Sequence, residues 1–176
     1  SAMLLELFRS NRLVELESIL RPLVARNAES EFLWGLLGTT LEMQGKDGVE
    51  ALRRAVTIDP DSFDANTSLG GALRGRGNLT EAAEAFSRAL ASQPANPVAQ
   101  FNIGETWRQL GRYAEAGAVL RQIVSNYPDF VEAFVSYADL LSESNSDLEA
   151  EHYCRQAIAM APGFPQAHFC LGNILQ

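Results

Sequence analysis

Small and large apolar residues recur along the chain at helical spacing, in a register that returns after 34 residues. Ala82, Phe86 and Ala89 lead to Pro94; Ala116, Leu120 and Ile123 to Pro128; Ala150, Cys154 and Ala157 to Pro162. Gly48, Leu52 and Ala55 lead to Pro60 in the same steps, so four prolines stand 34 residues apart. A second set opens each period: Trp34, Leu37, Gly38 and Leu41, then Leu69, Gly70 and Leu73, then Ile103, Gly104 and Trp107. Leu171, Gly172 and Leu175 repeat it, and Tyr137, Ala138 and Leu141 are its loosest copy. A period of this length predicts stacked pairs of antiparallel helices, because one pair is too small to bury its own apolar face. The small residues mark close helix approaches: Gly38, Gly70, Gly104 and Gly172 on first helices, Ala82, Ala116 and Ala150 on second helices. Each proline closes a second helix, since it lacks an N–H and biases its predecessor away from the helical region.

Restart signals follow the prolines. Asn96 then Pro97 predicts a cap and a first helical position. Asp129 with Glu132, and Ser146 with Glu149, have capping-box spacing. The repeats predicted are 31–62, 63–96, 97–130 and 131–164, the first about two residues short near Gly45–Gly48. Residues 1–30 predict a degenerate opening pair, with Leu4, Leu5 and Phe8 on one helix and Leu13, Leu16, Leu20 and Leu23 on the next. Pro22 falls inside that second helix and predicts a kink. Residues 165–176 predict the first helix of a further repeat, whose partner helix is absent, and Ser1-Ala2-Met3 reads as a cloning remnant. The expectation is a single array excised from a longer protein.

The signature positions resemble the tetratricopeptide repeat family over essentially the whole chain. That resemblance implies an all-α fold, a right-handed α-α superhelix of helix pairs, acting as a non-catalytic scaffold for protein–protein interaction. It also implies that first helices line a concave groove. Carried onto this sequence, the groove slots include Thr67 and Arg74, then Phe101, Asn102, Glu105 and Arg108, then Val135 and Asp139, then Phe169 and Asn173. Phe101 and Phe169 are the expected apolar anchors, because aromatic side chains dominate binding hot spots. Arg108 beside Glu105 reads either as a local solvated pair or as a split pair holding a peptide carboxylate and an amide. Trp34, Trp107 and Tyr113 fall in core slots.

The repeats are also similar to those preceding bacterial O-linked N-acetylglucosamine transferase (SPINDLY-like) proteins. Groove asparagines recur in successive repeats there; here the matching slots hold Ser68, Asn102, Ser136 and Cys170, a broken ladder. Chaperone-binding members use groove lysines on a peptide carboxylate, and these slots supply none.

A net charge of −8 without basic clusters opposes duplex nucleic acid and anionic membrane surfaces. It points to a protein or peptide partner, neutral to basic. No stretch is long or apolar enough for membrane insertion. Cys154 and Cys170 read as core or groove-lining thiols rather than a disulfide, which suits a reducing cytoplasm. His152 and His168 lack zinc-ligand spacing, and His168 takes a packing slot. Gly70, Gly71, Gly75 and Gly77 span a helix and its turn and lack the GK[ST] ending of a phosphate loop. No nucleophile is paired with a base and an orienting acid, so no catalytic residue, metal or cofactor is expected. Two other function classes remain open: a substrate-docking array of a larger glycosyltransferase or sulfotransferase, and self-association through the exposed C-terminal end.

Overall fold

A computed structural model describes residues 2–175, and every regular element among them is a helix. The chain forms two compact units, Ser1–Pro94 and Ala95–Gln176. The first contains α1 (Ala2–Arg9), α2 (Leu13–Arg26), α3 (Glu31–Met43), α4 (Val49–Ile58), α5 (Phe63–Gly75) and α6 (Leu79–Ser92). The second contains α7 (Pro97–Gln109), α8 (Tyr113–Asn126), α9 (Val131–Glu143), α10 (Asp147–Met160) and α11 (Pro165–Ile174). Within them α3 packs on α4, α5 on α6, α7 on α8 and α9 on α10.

Both kinds of turn repeat. Helices α4, α6, α8 and α10 each end two residues before a periodic proline. Helices α3, α5, α7 and α9 each close through a residue in the left-handed region: Gly45, Gly77, Gly111 and Asn145, with Asn11 in the same place after α1. Beyond it, a backbone N–H returns to the carbonyl five residues earlier, as Asn78 does to Leu73 at 3.0 Å and Arg112 to Trp107 at 2.8 Å. This satisfies helix-end carbonyls and reverses the chain within two residues. Across the inter-pair turns, Trp34, Asn66 and His168 each donate to the carbonyl six residues before, at 2.7 to 2.9 Å. His168 is therefore exposed and fastens a turn, where the sequence suggested packing.

The expected small–large contacts form at some slots and not others. Gly70 faces the ring of Phe86 and Gly38 faces Leu52, while Gly104 meets Leu120 at ordinary distance. Gly172 faces open space, because no later helix packs on α11 among the described residues. Helix α2 continues through Pro22, whose ring lies on the exposed side where water can satisfy the carbonyl it leaves unbonded. Tyr113 is 44% exposed rather than in the core, because it is the first residue of α8.

The Asn96 cap forms, its Oδ1 accepting from Val98 and Ala99 at 3.0 and 3.3 Å. The two capping boxes do not form. Helix α9 starts one residue later than Asp129 requires, with Phe130 at the cap position, and Ser146 makes no side-chain cap bond.

Candidate functional site

In the Ala95–Gln176 unit, α9 lies between α7 and α11, with α8 and α10 packed behind. One side of these three helices feeds the core: Ile103 and Ala99 on α7, Ala133 and Ala138 on α9, and Ala167 on α11 have essentially no exposure. The opposite side lines two adjoining hollows of about 300 and 360 Å³. Phe101, Glu105, Val135 and Ser136 border the first; Ser142, Glu143, Asn173 and Ile174 border the second. Arg108, Asp139 and Phe169 border both, so they stand where the hollows meet.

Arg108 is held from two directions. Its Nη2 and Nε donate to Glu105 at 2.9 and 3.2 Å, and Nη1 donates to Glu143 on α9. Gln109 adds a bond to Glu105 at 2.9 Å. Burial alone pushes the Glu105 carboxyl up, but the Arg108 bonds and charge bring it below the ordinary glutamate value. Burial likewise opposes the Arg108 charge; Glu105 outweighs it, with help from Glu143 and Asp139, and holds that group above its ordinary value. Asp139 differs. Among the described residues it has no hydrogen bond or ion pair of its own, and burial raises its carboxyl above the aspartate range, with Arg108 offsetting this in part and Glu105 and Glu143 adding to it.

The aromatic lining comes from both helices and turns. Phe101 leans on Phe130, with ring centroids 5.1 Å apart, and joins the edge of the core. Phe169 is 71% exposed and is the more open of the two expected anchors. Phe164, at the α11 cap position, completes the wall.

Seven of the ten groove residues read from sequence meet here: Phe101, Glu105, Arg108, Val135, Asp139, Phe169 and Asn173. Asn102 is on α7 but outside this lining, its carbonyl accepting from Thr106 Oγ1 at 2.7 Å. Thr67 and Arg74 belong to the other compact unit, where the Arg74 guanidinium lies 5.1 Å above the Phe86 ring.

Phe164 was missed, although the 34-residue phase marks it. Ser62, Asn96, Phe130 and Phe164 all precede first helices; the first two cap with their side chains, whereas the phenylalanines give up that bond for aromatic surface.

Cys154 and Cys170 correct the thiol expectation: they form a disulfide between α10 and α11, with Cα atoms 6.4 Å apart. Sixteen residues separate them, which is the second half of α10, the turn and the first half of α11, so antiparallel packing sets them face to face. Cys170 also lines the second hollow, so the bridge ties the helix bearing Phe169 to its support. The inference of a reducing compartment loses its premise.

A sequence model of the tetratricopeptide repeat matches residues 44–97 and 69–130. No curated protein matches the chain by sequence. Among solved structures, MamA aligns with TM-score 0.80 and 20% identity over 88% of this chain and 92% of its own. PilW, described as a widely conserved type IV pilus biogenesis factor, aligns with TM-score 0.83 and 21% identity, over 98% and 84%. YrrB, described as a TPR protein with an unusual peptide-binding site, aligns with TM-score 0.69 and 18% identity, over 88% and 81%. At these identities the likeness shows a shared fold.

Proposed function

We propose that this chain of tetratricopeptide repeats is a non-catalytic interaction scaffold that holds an extended peptide segment against α7, α9 and α11. The observation carrying this reading is the junction of two open hollows beside an exposed phenylalanine and a carboxylate that accepts no hydrogen bond among the described residues. Helices fix the backbone of every lining residue except those of the α11 turn, so the surface needs little rearrangement to bind. YrrB, of similar fold, is described as having a peptide-binding site, which supports the reading by analogy.

The test is capture of host proteins on the immobilised chain beside a Phe169→Ala, Asn173→Ala double variant. Both side chains are exposed, so the variant keeps its fold. A protein held by the parent and lost by the variant supports the groove. Equal retention by both surfaces removes it. The docking-array reading rests on the SPINDLY-like sequence resemblance alone, and self-association on the exposed Leu175 and Met160 near the C-terminus.

A further inference from the structure

Resting on that reading, the charge balance of the groove defines its guest. Four carboxylates, Glu105, Glu132, Asp139 and Glu143, line the two hollows, against the single cation of Arg108. Arg108 is already committed, with two donors to Glu105 and one to Glu143. It has little to offer a peptide carboxylate, which would also meet the surplus negative charge. Of the two readings open in the sequence, the structure favours the internal pair.

The surplus is concentrated at Asp139. This carboxylate is half-buried on the middle helix and accepts no hydrogen bond among the described residues; the cation that faces it, Arg108, has its bonds to Glu105 and Glu143. Removing a charge from water without a partner is unfavourable, and an arriving cation relieves that cost. Phe169 borders the same two hollows with most of its ring exposed, and an aromatic face attracts an ammonium or guanidinium. Val135 and Phe101 continue the wall with apolar surface suited to the methylene stem of a long basic side chain.

We propose that this groove takes a lysine or arginine side chain of an extended peptide, its cation seated against Asp139 beside the ring of Phe169. Aspartate supplies the charge, and the phenylalanine supplies the face on which the cation and its stem rest. Charge complementarity therefore selects basic, partly apolar segments and rejects acidic ones.

The test is selection of a random-sequence peptide library on the immobilised chain. The winning peptides are then measured by fluorescence anisotropy against the parent, Phe169→Ala and Asp139→Asn. The expected winners share a lysine or arginine. Norleucine in place of that lysine, alanine in place of that arginine, or Asp139→Asn in the protein weakens binding by about tenfold or more. Combining the two changes costs little beyond either alone, because both remove one contact. Winners lost by Phe169→Ala that lack a basic residue, or that ignore Asp139→Asn, overturn the cation seat and leave the groove reading standing. Winners indifferent to both Phe169→Ala and Asp139→Asn, or no winners, overturn both.

Discussion

Gly70 on α5 and Phe86 on α6 approach so closely that a Cβ at Gly70 would stand 2.7 Å from the ring. Gly48 is tighter still, because its obstacle is the backbone carbonyl oxygen of Gly38, 2.2 Å from the same hypothetical atom. Gly70→Ala should destabilise by about 1–3 kcal/mol, as overpacking does, and Gly48→Ala by at least as much. Gly172→Ala meets nothing and should gain about 0.5–1 kcal/mol from the helical preference of alanine. Urea unfolding of the three variants checks this order. Equal losses at Gly70 and Gly172 would contradict it.

Glu17, buried on α2, accepts from Lys46 at 2.6 Å, Arg21 at 2.9 Å and Gln44 at 3.0 Å. These bonds, Lys46 foremost and Arg21 next, outweigh burial and bring its carboxyl down to about 2. The folded value lies below the unfolded one, so the contribution is complete above the ordinary glutamate range. It is lost as pH falls through that range toward 2. Glu17→Gln should cost about 1–3 kcal/mol at neutral pH, with the deficit shrinking steadily in acid. Denaturant midpoints of parent and variant across that window measure it, and a deficit independent of pH would contradict the assignment.

At Asp139 the sign is opposite. Its folded carboxyl is raised by burial, so the charged form costs stability above the folded value and the cost fades on acidification. Asp139→Asn should therefore raise the melting temperature at neutral pH, and the gain should vanish in acid. Arg108 faces this group, as do Glu105 and Glu143, so the same scan on Arg108→Gln should show a loss. A drop in stability for Asp139→Asn at neutral pH would mean that the carboxylate has a partner in solution.

Reducing the Cys154–Cys170 bridge should loosen α11. A loop of this length contributes about 3 kcal/mol in the chain-entropy account. Amide exchange should rise across Pro165–Ile174 on reduction, while Ser1–Pro94 is unchanged. Peptide binding should weaken in parallel, since Phe169 rides on that helix. Alkylation of both cysteines in the folded, unreduced chain would contradict the bridge.

The helix pairs were legible in the sequence because proline, the left-handed turn residue and the small–large alternation each repeat in step. Most of the lining of the two hollows was legible because its slots lie on the helical face opposite the core positions. Three things were hidden. Pairwise charge geometry was one: sequence places Arg108 near Glu105 but cannot show that its Nη1 donates to Glu143. Cap residues that abandon capping were another, since Phe130 and Phe164 look like interruptions until their rings are placed. The third was the face-to-face placement of Cys154 and Cys170, which depends on the packing of α10 against α11.

The central claim is most directly tested by amide chemical-shift mapping of a lysine-containing peptide titrated into the isotope-labelled protein. Shifts should centre on Glu105, Asp139 and Phe169, with little change on α8 and α10, and no such pattern should arise with the norleucine analogue. Shifts centred on α8 and α10, or the same shifts with both peptides, would contradict it.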